Sequence, residues 1–221
     1  MSPADDNGSD SAAISGDPVQ RLTDLRERAK SDRAAACGEV WAWLRQLRDS
    51  DLRDYDRAAR ELEALFRAGR PPAELHGQTE GMLVMTTTLP ILDRTVTAVT
   101  DLWMPWEGKR FAPEGGSNRI SSRASTPLRL LWPLYSMTQT EDGTLAFEFK
   151  THVEESRDKD AEDQKVLVID YKSIETNPRL LIRSIRDELV ELAPGVFLGK
   201  ILFRVAGKYM KIGFFALHKV D

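Results

Sequence analysis

The first third of the chain has apolar residues at helical spacing. Between Pro18 and residue 48, leucine, valine, alanine and tryptophan recur every three or four positions, which predicts one long helix or two shorter ones. A second apolar stripe opens near residue 50 and ends before Gly69 and the prolines that follow it. We predict that these stretches form a helical hairpin over residues 18–70.

The pattern changes to alternation after residue 76. GMLVMTTTLP, TLAFEFKTHVE and KVLVIDY are rich in β-formers, and the last quarter has three apolar runs separated by turn residues at 194–195 and 206–207. Residues 91–102 fit either a short helix or a further strand. Because antiparallel strands must close or stack to bury their inward faces, we predict a small antiparallel β-barrel over residues 75–221.

Composition and charge narrow the possible classes of protein. With 221 residues, 41% of them hydrophobic, the chain is long enough for one main domain, and we predict an α+β, mainly β, fold class. Residues 1–17 are mostly small or polar and are predicted to form a disordered tail, because they have almost nothing to bury. A net charge of -4 argues against a nucleic-acid surface, which needs clustered positive charge.

Cysteine content and hydropathy indicate a location in the cell. The lone Cys37 excludes an intrachain disulfide and a zinc site built from cysteines, which fits a reducing compartment. No apolar run approaches the roughly 20 residues that cross a bilayer, and the first residues lack the apolar core of a signal peptide. We therefore expect a cytoplasmic protein without membrane insertion.

The order of short motifs in the second half of the chain resembles a known family. The motifs are LHGQTEGMLV, then WEGKRF, then VLVIDY, FLGKILFR and IGFFAL. Over residues 75–218 they resemble the GXWXG/DUF4334-like uncharacterised bacterial proteins, although GQTEG has Thr79 where the family pattern has tryptophan. The resemblance implies a calycin-like, lipocalin-like β-barrel with a ligand cavity, and it implies no particular reaction.

The segment DLWMPWEGKRF, residues 101–111, carries the first candidate binding residues: Trp103, Trp106, Lys109 and Arg110. Lys109 or Arg110 has the charge to hold a carboxylate, an enolate or a phosphate at a cavity mouth. The alternative is that the tryptophans are core residues and both cations are solvated. If WEGKRF is a strand, alternate side chains share a face. One face then has Trp106, Gly108 and Arg110, and the other has Glu107, Lys109 and Phe111.

Two carboxylates are candidates for acid–base chemistry or ligand binding. Asp170 follows two valines on one face of a predicted strand, and a desolvated carboxyl group is able to act as a general acid or base. Asp187 precedes Glu188, so one of these two is expected to point inward. The alternatives are that Asp170 caps a turn and that the acidic pair forms ion pairs with arginine or with Lys200.

Two further aromatic residues are predicted to bind a ligand. Trp132 lies in LRLLWPLY and Phe215 in IGFFAL, and we expect both side chains at the cavity wall. Residues 112–127 are rich in glycine, serine and proline, which predicts a mobile lid over the barrel mouth. The alternative for LRLLWPLY is a buried edge strand interrupted by its proline.

The sequence has no motif for a metal or a cofactor. Its three histidines, at 76, 152 and 218, lack the spacing of metal ligands. PEGGSN lacks the lysine of a phosphate-binding loop, and the serines lie outside any Gly-x-Ser-x-Gly elbow. We therefore predict no metal and no cofactor.

These observations predict one function and leave alternatives open. The barrel is predicted to bind a hydrophobic or amphipathic small molecule, with Lys109 or Arg110 at one end and Asp170 at the other. The alternative is a cofactor-independent cyclase or isomerase that acts on a polyketide-like natural-product intermediate, with Asp170 as the catalytic group. A third interpretation makes the helical hairpin a surface for a protein partner, and the sequence is also compatible with a homodimer.

Overall fold

A computed structural model of the protein describes residues 16–50, 54–86, 106–121, 135–140, 143–179 and 181–220. The predictions for residues 1–15 and 91–102, for residues 122–127 of the lid, and for Trp103 and Trp132 lie outside these residues. The lid prediction was wrong for residues 115–120, which form a strand of the barrel. Within the described ranges, helices come first and antiparallel strands follow. The α+β, mainly β, fold class is confirmed.

Three helices lie in the described part of the N-terminal region: α1 (Pro18–Arg28), α2 (Arg33–Arg48) and α3 (Tyr55–Ala68). The break between α1 and α2 confirms the alternative of two shorter helices. Asp32 begins α2 as its cap, because its carboxylate accepts a hydrogen bond from the backbone N–H of Ala35 at 3.1 Å. None of these helices has the length and apolar character that crossing a membrane requires.

Nine antiparallel strands lie in the described residues, and eight of them close into a barrel. The sheet order is β3-β2-β1-β9-β8-β7-β6-β5, and β3 also pairs with β5, which closes the ring. The remaining strand, β4, pairs only with the beginning of β5. The strands are β1 (Gly77–Thr86), β2 (Trp106–Ala112), β3 (Gly115–Ile120), β4 (Thr138–Thr140), β5 (Gly143–Glu155), β6 (Lys165–Asp170), β7 (Ile185–Ala193), β8 (Val196–Val205) and β9 (Lys208–Lys219).

Tight turns connect the last three strands. Gly195 joins β7 to β8 with a φ of 84°, and Ala206 and Gly207 join β8 to β9 with φ values of 48° and 84°. A positive φ is readily adopted by glycine, which explains its place in both turns. The turns predicted at residues 194–195 and 206–207 are therefore confirmed.

Alternation along the strands creates two separate cores. In β9, Phe214 and Ala216 pack outward beneath the helices, whereas Phe215 and Leu217 point into the barrel. We call these the outer core and the inner core. Buried members of the outer core include Leu22, Val40, Leu44, Leu62, Phe66, Val168, Val190 and Leu198. Buried members of the inner core include Phe111, Phe149, Ile169, Tyr171, Ile185, Leu189 and Phe197.

Candidate functional site

An irregularity at Gly108 decides which side chains of β2 point into the barrel. The pairing of β2 with β3 shifts register between Trp106 and Gly108, and Gly108 has a φ of 140°. The prediction of strict alternation was therefore wrong, because one extra residue in a strand reverses the faces that follow it. Trp106 and Lys109 both take part in interior contacts, and Arg110 is exposed.

Lys109 is the centre of a buried polar cluster inside the barrel. We define the inner polar cluster as Lys109, Asn118, Tyr171 and Asp187. The Lys109 ammonium donates to Asp187 Oδ2 at 3.0 Å, to Asn118 Oδ1 at 2.8 Å and to Tyr171 Oη at 2.5 Å. The Tyr171 hydroxyl donates in turn to Asp187 Oδ2 at 2.9 Å. The side chains of Lys109 and Asp187 have no solvent exposure, so water does not screen their attraction.

Asn118 holds the inner polar cluster to the barrel wall. Its side-chain N–H donates to the carbonyl oxygen of Phe147 at 3.1 Å, and its Oδ1 also accepts from Trp106 Nε1 at 3.1 Å. Thr79 secures the lysine backbone, because its hydroxyl donates to the Lys109 carbonyl at 2.9 Å and accepts from the Lys109 N–H at 3.1 Å. These contacts fix the position from which the Lys109 side chain enters the interior.

Four aromatic rings surround the Lys109 ammonium. Its nitrogen lies 5.2 to 5.4 Å from the ring centres of Trp106, Phe149, Tyr171 and Phe215. Aromatic faces carry partial negative charge and attract a cation at this range. The rings therefore contribute to stabilising a charge that has been removed from water.

Glycines in the strands make room for three of these rings. A Cβ at Gly81 would lie 2.5 Å from the ring of Trp106, and one at Gly199 would lie 2.1 Å from the ring of Phe215. A Cβ at Gly116 would lie 2.8 Å from the ring of Phe149. Each distance is shorter than two carbon atoms tolerate without moving apart. The absence of a side chain at these three positions therefore allows the aromatic rings to lie against the barrel wall.

Burial changes the acid–base properties of the cluster. Desolvation lowers the pKa of Lys109 below its ordinary value, and the opposing attraction of Asp187 is smaller. Desolvation likewise raises the pKa of Asp187, against the smaller effect of Lys109. The pKa of Tyr171 is raised well above its ordinary value, first by desolvation and then by the charge of Asp187. The pKa values of Lys109 and Asp187 are thus closer to each other than they are in water, whereas Tyr171 holds its proton more tightly.

Asp187 also has an oxygen with spare hydrogen-bonding capacity. Its Oδ1 is buried and accepts no hydrogen bond from any residue that the structure describes. A buried polar oxygen without a donor costs about 1–3 kcal/mol, so such atoms in native proteins call for a specific explanation. This oxygen belongs to the same carboxylate that holds Lys109 and Tyr171.

A small cavity adjoins the inner polar cluster. It lies at the end of the barrel where β2 and β7 begin and β3 and β6 end. Its volume, measured as the space open to the centre of a water molecule, is about 20 Å³. Ile185, which lines it, is followed by Asp187 at the next inward position of β7. The lining residues are Trp106, Asn118, Ile120, Phe147, Tyr171, Ile182 and Ile185.

The structure places the other predicted site residues in different environments. Asp170 follows Val166 and Val168 on the face of β6 that packs toward the helices, so the strand holds it away from the inner polar cluster. Its Oδ1 accepts a hydrogen bond from the backbone N–H of Lys172 at 2.8 Å, which is the turn-capping alternative. Phe215 is fully buried in the inner core, beside Trp106 and Lys109.

The prediction that one of two neighbouring acids points inward is confirmed for Asp187. Glu188 points the other way, and its carboxylate accepts from Arg186 Nε at 2.9 Å and from the Ser156 hydroxyl at 2.5 Å. Sequence reasoning missed Tyr171 and Asn118 as members of the site. A signal was present for Tyr171, because it follows Asp170 and alternation turns it inward, whereas the pairing of Asn118 with Lys109 is known only from the strand register.

A second group of acids lies outside the barrel, beneath α3. Carboxylate oxygens of Glu63, Asp158 and Asp160 lie within 4.8 Å of one another, a spacing that a metal ion could use. Lys200 already occupies this position, with its ammonium 2.6 Å from Glu63 and 2.5 Å from Asp158. Lys211 forms a further ion pair with Glu63. The two lysines form ion pairs with these acids, and the pairs with Glu63 tie α3 to the barrel.

Comparisons with known proteins include one structural similarity of low score. No protein-family model matches the chain, and no curated protein matches it. The crystal structure of a protein from Thermomonospora curvata is similar over 90% of this chain and 99% of that chain, with 13% sequence identity and a TM-score of 0.40. This similarity assigns no function to the chain.

Proposed function

We propose that the barrel binds one hydrophobic or amphipathic small molecule beside the inner polar cluster. The apolar part of the ligand contacts Trp106, Phe147 and the isoleucines of the cavity, and its polar part contacts the cluster. Such a combination of apolar walls and a few convergent polar groups is typical of small-molecule sites. The GXWXG/DUF4334-like resemblance, which implies a barrel with a ligand cavity, agrees with this proposal.

The observation that carries the proposal is the fully buried Lys109–Asp187 pair next to an apolar cavity. Apolar residues of similar volume often stabilise a core as well as a buried ion pair does, because both charges lose their hydration. Stability of the barrel alone therefore gives little reason to bury this pair. An unpartnered Asp187 oxygen adds to the cost, and a ligand that donates a hydrogen bond would offset it.

The volume of the cavity sets the manner of binding. About 20 Å³ is enough for a small polar group, since one water molecule needs roughly 10–15 Å³ on this scale. Trp106 lines both this cavity and a groove on the outside of the barrel, where Trp41, Arg45 and Gly81 are also found. A shift of the Trp106 ring would join the two spaces, so we propose that Trp106 moves when a larger ligand enters.

The test of ligand binding begins with the purified protein. Native mass spectrometry, followed by denaturing extraction, identifies a compound that co-purifies, and titration of that compound then measures its affinity. Trp106→Phe is expected to weaken binding about three- to tenfold, because it reduces an aromatic contact and removes the indole donor to Asn118.

The matched control for that variant is Trp43→Phe. Trp43 is buried in the outer core, and its indole N–H donates to Glu61 at 2.6 Å. The control variant therefore loses the same indole donor, but outside the barrel. Its affinity for the ligand should equal that of the unsubstituted protein. Equal weakening in both variants, or failure of every tested apolar compound to bind, would contradict the proposed site.

A second candidate function is that of a cofactor-independent isomerase or cyclase. The observation in its favour is that Asp187 and Tyr171, a potential base and a potential acid, share a hydrogen bond of 2.9 Å beside the cavity. Burial raises the pKa of Asp187 and so makes its carboxylate a stronger base. In this proposal Asp187 removes a proton next to a ligand carbonyl, and the Tyr171 hydroxyl stabilises the enolate oxygen.

Hydrogen exchange separates this candidate from binding alone. The protein is expected to accelerate exchange of the α-hydrogens of a bound ketone with D₂O, as followed by NMR. Asp187→Asn should reduce the acceleration at least about 100-fold, the lower end of the usual contribution of a general base. Asp170→Asn, the same change on the outer face, should leave it intact. Unchanged exchange in Asp187→Asn would exclude this role.

A further inference from the structure

The hydrogen bonds of the inner polar cluster restrict the chemistry of the ligand. An ammonium group has three N–H donors. Those of Lys109 have partners in Asp187, Asn118 and Tyr171, at distances of 2.5 to 3.0 Å. An anionic ligand that approached Lys109 would therefore have to displace one of these acceptors. The prediction from sequence that Lys109 holds a carboxylate or phosphate does not fit this arrangement.

The spare capacity of the cluster is an acceptor. Asp187 Oδ2 already accepts from Lys109 and from Tyr171, whereas Oδ1 accepts from none of the described residues. Asp187 follows the cavity-lining Ile185 on the inner face of β7, and its hydrogen-bond partner Tyr171 lines the same cavity. Asp187 itself is not among the lining residues, so a ligand donor in this cavity would reach the unpartnered oxygen past Ile185 or Tyr171.

The charges of the pair point to the same class of ligand. Lys109 and Asp187 carry opposite charges, and both side chains have no solvent exposure. Because the pair has no net charge, a charged ligand group would bring an uncompensated charge into a region without water. A neutral donor adds a hydrogen bond without that penalty.

We propose that the ligand presents a neutral hydrogen-bond donor, the hydroxyl of an apolar alcohol or phenol, to Asp187 Oδ1. This inference rests on the proposed function, since it specifies the polar part of the molecule that the barrel binds. It distinguishes the protein from a carrier of carboxylates such as fatty acids. It also assigns Asp187, and not Lys109, as the residue that recognises the ligand directly.

A panel of three probes with equal chain length tests the inference in the unsubstituted protein. We expect 1-octanol to bind at least about tenfold more tightly than octanoate or octylammonium, as measured by calorimetry at pH 7. Octanoate binding as tightly as 1-octanol, or more tightly, would overturn the inference and leave the proposed function standing. Binding of none of the three would overturn both.

Asp187→Asn tests the assignment of the recognising residue. This change leaves Lys109 charged without its counter-ion, so a carboxylate ligand would now supply the missing negative charge. We expect the preference to reverse, with octanoate binding more tightly than 1-octanol and raising the melting temperature more. Asp170→Asn, with the same change on the outer face, should keep the preference of the unsubstituted protein.

The double variant Lys109→Met/Asp187→Leu removes both charges and the acceptor oxygens at position 187, and it provides a second control. It should have no preference for octanoate, because neither an unpaired cation nor an unpaired anion remains. The double variant also keeps the test decisive if Asp187→Asn alone does not fold. A preference for 1-octanol that survives unchanged in the double variant would show that Asp187 is not the recognising group.

Discussion

Replacing Lys109 by methionine is expected to lower the free energy of unfolding by about 3–5 kcal/mol, the usual result of removing one partner from a buried ion pair. Methionine fills much of the space of the lysine stem but leaves the fully buried Asp187 without its cation. Tyr171 and Asn118 also lose a hydrogen bond each. Equilibrium unfolding in urea, with an unchanged dependence on denaturant, measures the loss.

The effect of Lys109→Met should depend on pH. Burial raises the pKa of Asp187, and without Lys109 no neighbouring cation opposes this effect. The folded-state pKa of Asp187 then lies above the unfolded value of about 3.9. A carboxyl group with a raised folded pKa destabilises the fold above its unfolded pKa, because folding then requires proton uptake. The free energy of unfolding of the variant should therefore be closest to that of the unsubstituted protein below about pH 4. It should fall as the pH rises toward the raised folded pKa of Asp187.

Lys109→Met/Asp187→Leu is the control for this prediction. It replaces both charges by apolar groups, so no buried carboxylate remains, and it should recover most of the stability that Lys109→Met loses. The two single variants and the double variant together form a cycle that measures the coupling of the pair. A loss below about 1 kcal/mol in Lys109→Met at pH 7 would show that Asp187 finds another partner or stays protonated there.

Gly199→Ala is expected to lower the free energy of unfolding by about 1–3 kcal/mol, the range for adding a methyl group to a packed core. Gly199 pairs with Phe215 across β8 and β9, and a Cβ there would lie 2.1 Å from the phenylalanine ring. The ring is fully buried and its centre lies 5.3 Å from the Lys109 nitrogen. It therefore has to move among the four rings that surround this ammonium, which we call the aromatic cage. Urea unfolding measures the loss.

The matched control is Gly38→Ala, the same chemical change in α2. A Cβ at Gly38 would have no atom within 4 Å, and alanine favours the helix over glycine. This variant should gain about 0.5–1 kcal/mol of stability. If Gly199→Ala also gains stability, the ring of Phe215 has space that the packing does not show. If its affinity for ligand falls as well, the aromatic cage is linked to the binding site.

The candidate site was only partly predictable because the members of the inner polar cluster come from four strands or strand ends. Lys109, Asp187, Trp106 and Phe215 were candidates from residue type and position in predicted strands. Asp170 was a candidate because it shares a predicted strand face with two valines, and its neighbour Tyr171 was not considered. In the structure the valines of β6 pack against the helices, so Asp170 lies on the outer face of the strand and Tyr171 points into the barrel.

The sequence by itself determined the succession of elements: helices, the first of them from Asp17 and Pro18 onward, then strands with glycine at the turns. These features follow from interactions within a few residues, which periodicity and capping residues record. Only the tertiary structure decided that the register shift at Gly108 turns Lys109 inward and that Asp187, Tyr171 and Asn118 meet it there. Strand register and barrel closure join residues that are 9 to 78 positions apart, and no local pattern encodes such distances.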